Sequence, residues 1–390
     1  MKRTYKEKRK NKHIIAVIGL IFAMCIGSGM FGMFGMSGTA ATASQMNAKT
    51  PLARHGRLSV KGVDLVDQSQ KKFQLRGVST HGINWDVGSP YVNEAAFRTL
   101  RDDWGVNAIR LAMYTSEYNG YCSGGDKKAL RTKVEEGVQY ATKLGMYVII
   151  DWHILSDGNP KQHIKEAKRF FATMAAKYKK QKNVLYEICN EPNGCSWKTI
   201  RSYAQSVTKV IRKKDAKAIV IVGTPTWSQL GSDGTHVEVA DSPLKNVKNV
   251  MYSLHFYANE WSHNKYLPTK LDLARKKGIP VIVTEFGMTA ASGNGAISTS
   301  STSRWLTRLD KRNVSYFCWS LSNKNEFSAL LRPGCKKTGA WTKKDLSKAG
   351  QYIRKKYRQR YSACWSHAEG QCGLPSRREC QRWYSGRSVW

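Results

Sequence analysis

Eight apolar runs recur along the chain, each closing in polar or aromatic residues and most followed by a stretch with helical spacing. The runs are Phe73–His81, Ala108–Tyr114, Tyr147–His153, Val184–Glu191, Ala218–Thr226, Val250–Tyr257, Pro280–Gly287 and Ser315–Ser322. Their length and their branched and aromatic content predict buried strands. Between them, helices are expected over Glu94–Trp104, Asp126–Leu144, His163–Lys179, Lys198–Lys213, Leu267–Lys277 and Ser301–Lys311, with Lys344–Tyr357 after the eighth run. Residues 227–249 carry only a weak helical signal and are expected to be mostly loop. Seven or eight strand-then-helix units in about 290 residues predict an α/β fold, one closed (β/α)8 TIM barrel. Upstream, Arg57–Gly62 and Asp64–Gln68 alternate and then turn, a two-stranded hairpin expected to cap the barrel floor.

The flanks have a different character. A basic run from Lys2 to Lys12 precedes the apolar stretch Ile14–Ile26, and Ala41-Thr42-Ala43 follows. That order reads as a secretory signal peptide over 1–43, cleaved before Ser44, and hence a secreted, extracellular protein. The alternative is an N-terminal membrane anchor, since the apolar region approaches the length of a span. Residues 44–56 read as a linker and 57–358 as the catalytic domain. Residues 359–390 read as a basic Cys- and Trp-containing extension, with Cys364, Cys372 and Cys380 evenly spaced.

Charge changes the picture in one respect. The 64 Lys and Arg against 28 Asp and Glu give +36, and loss of the leader would leave about +30. The basic residues are spread over the predicted helices and no nucleic-acid motif accompanies them, so nucleic acid is not expected as a partner. Most of the charge reads as solvated surface, with adhesion to an anionic cell-wall or matrix polymer as a second use. Nine cysteines fit an exported chain. Cys189 and Cys318 fall inside predicted strands and read as core fillers. Cys122, Cys195, Cys335, Cys364, Cys372 and Cys380 are the disulfide candidates, and spacing alone does not pair them. No metal-ligand spacing is present, and neither metal nor cofactor is expected.

The strand ends carry the chemistry. Val184–Glu191 is stopped by Pro192, which places Glu191 at the C-terminal lip of a strand, and Glu285 closes Pro280–Gly287 in the same way. Two glutamates brought to one barrel face suit hydrolysis of a glycosidic bond, one ionised and one protonated. Arg110 and Tyr257 are placed to hold one of them ionised, and Asn190 to donate to a sugar hydroxyl. Trp85, Trp227 and Trp319 offer flat faces for pyranose rings.

The motifs Ile109-Arg-Leu, Asp151-Trp-His153, Ile188-Cys-Asn-Glu-Pro192, His255-Phe-Tyr257, Thr284-Glu-Phe-Gly287 and Trp319-Ser together resemble glycoside hydrolase family 5. The resemblance is closest to the bacterial endoglucanases of its subfamily 2, and it runs in order from about Arg57 to Tyr357. It implies Glu191 as acid/base and Glu285 as nucleophile. It further implies Arg110, His153, Asn190, His255, Tyr257 and Trp319 as catalytic support. As substrate-binding residues it implies His81, Trp85, Tyr114, Trp227, Ala291, Lys324 and Glu326. The expected activity is that of a retaining endo-β-1,4-glucanase acting on a β-glucan such as cellulose, as a monomer. Alternatives are a β-mannanase or mixed-linkage glucanase on the same barrel, or a non-catalytic carbohydrate- or wall-binding protein.

Overall fold

In a computed structural model, residues 50–368 are described, apart from residue 233. The expected signal peptide or anchor and residues 369–390 of the extension lie outside them. Two short antiparallel strands, β1 (Ser59–Lys61) and β2 (Asp64–Val66), turn through Gly62 at φ 59°, the left-handed backbone that glycine adopts without strain. Eight parallel strands follow: β3 (Arg76–Thr80), β4 (Ala108–Tyr114), β5 (Tyr147–His153), β6 (Val184–Glu187), β7 (Ile219–Val222), β8 (Val250–Tyr257), β9 (Val281–Gly287) and β10 (Tyr316–Leu321). They close in sequence order, β10 pairing β3, so no edge is left exposed. The expected TIM barrel is the fold.

Two apolar clusters account for its solidity. One lies between the strands and the surrounding helices. The other fills the lower barrel with Tyr147, Ile149, Leu185, Ile221, Met251 and Phe317, and is sealed below by Leu58, Leu65 and Phe73. The hairpin therefore caps the floor, as its alternation predicts. Above the second cluster the lumen turns polar, and the site begins there.

Several boundaries differ from the sequence reading, each for a local reason. The part of the expected linker that is described is folded: Pro51–His55 forms a helical turn capped by Thr50, and the Tyr147 hydroxyl donates to the Gly56 carbonyl at 2.7 Å. The strand expected over Val184–Glu191 pairs only to Glu187, and the one expected over Ala218–Thr226 only to Val222. The helix expected from Leu267 starts at Trp261 and carries Pro268 inside it. A proline reads as a helix start, but the apolar face of His263, Leu267 and Leu271 buries the preceding turn as well. Residues 227–249 contain, beyond a short turn at Pro225–Ser228, only one four-residue helix, Glu238–Asp241. The last helix, Lys348–Ala368, runs ten residues beyond the boundary expected at 358. Cys189 and Cys318 are buried in the core, as read. Cys122, Cys195 and Cys335, expected as disulfide candidates, are free thiols here, and the side chains of Cys364, Cys372 and Cys380 lie outside what is described.

Candidate active site

Arg110 organises the site. It is fully buried on β4, where its five donors in a fixed fork can serve several acceptors at once. Nε donates to Glu187 at 2.7 Å, and Nη1 to Glu285 at 3.1 Å and Ser79 at 3.3 Å. Nη2 donates to Asn190 at 2.6 Å and lies 3.0 Å from Asp151. One cation thus sits among three carboxyl groups from β5, β6 and β9. A buried charge of either sign alone would be costly, and the mutual pairing is what makes the cluster tolerable.

Glu285 and Glu191 meet above it. Glu285 accepts from Arg110 on Oε2 and from the Tyr257 hydroxyl on Oε1 at 2.7 Å. Glu191 Oε1 lies 2.8 Å from His255 Nδ1. One carboxylate oxygen of each glutamate and a nitrogen of His255 all lie within 4.8 Å of one another. Among the described residues this is the one set of three or more such carboxylate, imidazole or thiol atoms so close together. Both His255 nitrogens are already engaged, by Glu191 and by Thr284 at 2.8 Å, so the imidazole has nothing left for an ion.

The two glutamates differ electrostatically. Burial pushes the Glu191 carboxyl up to about 8, and Arg110 offsets this only in part. Burial also raises Glu285, and the negative charge of Glu191 adds to it, while His255 and Arg110 act against the rise. Two donors touch Glu285 directly and only a neutral imidazole touches Glu191. The charge therefore settles on Glu285 and the proton on Glu191. Burial lowers His153 to about 3, with Arg110 reinforcing it, and lowers His255 to about 4. Both rings are neutral. His153 Nδ1 lies 2.6 Å from Asp151, which fixes its proton there and leaves Nε2 to accept from Asn190 at 3.2 Å.

The remaining residues divide into two groups. His81, Trp85, Tyr114, His153 and Trp319 form one aromatic floor, with ring centroids 4.1–5.7 Å apart along the series. Lys324 pairs with Glu326, and both charges act on His81, which puts them at the same end. Trp227 lies elsewhere, in a left-handed turn after β7, its N–H donating to the Pro192 carbonyl and the residue 44 % exposed. Ala291 is exposed in the loop after β9, its N–H donating to Glu260 at 3.3 Å. Asn190 lies between Arg110 and His153. Its amide donates to the Ile154 carbonyl at 3.1 Å and faces His153, so its donors are taken up within the protein.

Sequence reasoning gave no role to Asp151 and Thr284, which it met only as motif residues, or to Glu187 and Ser253. All are buried beneath the glutamates, and burial pushes the Asp151 carboxyl up to about 7 despite Arg110. A signal was available: a charged residue inside an apolar strand run has to be paired within the core.

Comparison with known proteins agrees with this geometry. A sequence profile of the Cellulase (glycosyl hydrolase family 5) family matches residues 66–325, two thirds of the chain. The chain belongs to glycosyl hydrolase family 5. This family 5 member is 45 % identical over 311 residues to Endoglucanase N of Pectobacterium atrosepticum, covering 79 % of this chain and 67 % of that one. It is 38 % identical over 316 residues to Endoglucanase E-5 of Thermobifida fusca, covering 80 % and 66 %. The family 5 chain spans about three fifths to two thirds of the length of these and similar curated relatives. Among solved structures it superposes on the catalytic domain of Thermobifida fusca endoglucanase Cel5A with a TM-score of 0.75 at 37 % identity. That match covers 79 % of this chain and 99 % of that domain. A variant of the same domain in complex with cellotetraose matches with a TM-score of 0.74.

Proposed function

We propose that the protein is a secreted endo-β-1,4-glucanase that retains anomeric configuration. One observation carries the reading: one carboxylate oxygen of Glu191 and one of Glu285 lie within 4.8 Å of each other. Carboxyl groups about 5 Å apart leave no room for a water between carboxylate and sugar, so the carboxylate itself attacks; inverting enzymes need roughly 6.5–9.5 Å. Glu285, held anionic by Arg110 and Tyr257, forms a bond to the anomeric carbon as the bond to the leaving oxygen breaks. Glu191 gives that oxygen its proton. The Glu191 carboxylate then takes a proton from water, whose oxygen attacks the anomeric carbon and releases Glu285. Both groups end as they began.

The aromatic floor supports stacking of pyranose rings on the His81 side, with Trp227 on a separate loop beside Pro192. The relatives' names and the cellotetraose complex support a β-1,4-glucan as substrate. Export rests on the leader-like residues 1–43. Glu285→Gln is expected to lower turnover by at least roughly 10³-fold, and NMR of early products to show the retained anomer. Near-normal turnover of that variant, or an inverted first product, overturns the reading. Reducing-sugar assays on carboxymethylcellulose, barley glucan, glucomannan, mannan and xylan test the substrate, with carboxymethylcellulose expected to be cut well and mannan and xylan poorly.

A further inference from the structure

Among the buried carboxyl groups that the double displacement does not use, Glu187 stands nearest in sequence to the acid. Glu187 lies wholly inside the barrel, four residues before Glu191. Its Oε2 accepts from Arg110 Nε at 2.7 Å, and its Oε1 accepts from Thr284 Oγ1 at 2.6 Å and Ser253 Oγ at 3.1 Å. Burial raises the Glu187 carboxyl, but three donors converging on its two oxygens, one of them the Arg110 guanidinium, act the other way and fit a carboxylate, not a carboxylic acid. Thr284 Oγ1 has a single hydrogen and two acceptors in reach, Glu187 Oε1 at 2.6 Å and Ser253 Oγ at 3.0 Å; the shorter contact, to the charged oxygen, takes it, and Ser253 gives its own hydrogen to Glu187. The same oxygen lies 2.8 Å from His255 Nε2, so Nε2 is the donor in that contact. A neutral imidazole carries one proton, and Nδ1 is therefore bare. That bare lone pair faces Glu191 Oε1 at 2.8 Å, and only a proton on Glu191 makes the contact a hydrogen bond.

We propose that Glu187, acting through Thr284 and the tautomer of His255, holds the proton on Glu191. Glu187 and Thr284 are positioning residues, since neither reaches the cleft. The arrangement also has a mirror state. Glu191 passes its proton to Nδ1, Nε2 passes its own to Thr284, and Thr284 passes its own to Glu187. Glu191 is then anionic and Glu187 neutral, with no proton gained or lost.

Other ionisable groups face the same pair and act through space. Arg110 from β4, Asp151 from β5 and Glu187 from β6 bear on Glu191, and Glu285 from β9 bears on His255. Tyr114, Tyr257, His153 and His263 adjoin them as neutral groups. The test therefore separates charge from hydrogen bonding.

The inference rests on Glu191 being the acid, and that is checked first. Glu191→Ala must lose far more activity on an aryl β-cellobioside with a poor leaving group than on one with a good leaving group. If that difference is absent, the acid assignment fails and the chain of hydrogen bonds has nothing to act on. The second measurement is kcat/KM against pH on the poor-leaving-group substrate, where the basic limb of the unaltered protein is expected near 8. Thr284→Val removes the hydroxyl without changing any charge, and frees His255 to donate from Nδ1 to the Glu191 carboxylate. Its basic limb is expected to move down by about one pH unit, and Thr284→Ser to restore it. Glu187→Gln, whose amide donates to Thr284, is expected to move the limb the same way. If Glu187→Gln shifts the limb and Thr284→Val does not, charge alone is at work and the proposal is overturned. It is equally overturned if Thr284→Val lowers kcat with the limb in place, or if Thr284→Ser fails to restore a folded protein with the original profile.

Discussion

Gly287 shows how closely the reacting groups are packed. A Cβ there would lie 2.4 Å from the Tyr257 ring, far inside contact distance. Gly287→Ala must therefore push the ring aside and break the 2.7 Å bond to Glu285. A hydrogen bond to a charged group contributes about 1.5–3 kcal/mol, so kcat should fall by roughly 10- to 150-fold with the circular dichroism spectrum unchanged. Tyr257→Phe should match it. The Glu191 carboxyl makes a signed prediction about stability. Its folded pKa, near 8, lies above the value of an unfolded glutamate, so burial favours the protonated form. The stability that this contributes is whole below the unfolded pKa and is lost as pH rises through 8. Glu191→Gln removes the ionisation. It should melt at a higher temperature than the unaltered protein at pH 8, and the advantage should vanish at pH 4.

At the level of elements, termini and caps set where each strand and helix delivers its residues. Asn93 accepts from the Ala96 N–H at 2.8 Å, capping the helix Glu94–Thr99, and its amide donates to Pro90 and Thr338. Asn93→Ala should cost about 1 kcal/mol and lower the melting temperature by about 2 °C, with kcat unaltered because the cap lies outside the site. Strand ends were the weakest part of the sequence reading. An apolar run announces a buried segment but does not say how far its ladder continues. At 188–190 the chain stays buried beyond the regular ladder, with single backbone bonds from Ile188 to Ile221 and from Asn190 to Trp152, because Asn190 and Glu191 bond to side chains from β4, β5 and β8. Thr226 and Trp227 read as a strand end, yet both are left-handed, at φ 59° and 52°. Neither residue type signals that conformation, and the turn exists because its backbone bonds to the Pro192 carbonyl on the neighbouring loop.

For the molecule as a whole, the closed ring of strands makes every C-terminal lip face one end, and that is what lets residues 175 positions apart, such as Arg110 and Glu285, share a hydrogen bond. The charge of +36 acts at a longer range. Retention on an insoluble anionic cell-wall polymer is expected at low salt and should be lost near 1 M, where the screening length shrinks to about 3 Å. Hydrolysis of a neutral β-glucan should change little over the same range. A co-sedimentation series against salt, run beside the activity assay, checks both.

The sequence by itself determined the repeated strand and helix units, the capping hairpin, and the pair of glutamates at two strand ends. Each of these is written in local pattern: periodicity, a proline after a carboxylate, a glycine at a turn. Tertiary structure alone decided which glutamate keeps its proton, that one arginine serves three carboxyl groups, and that Glu187, Thr284 and His255 line up behind Glu191. Those outcomes depend on burial and on distances between strands far apart in the chain, and no spacing along a single strand encodes them.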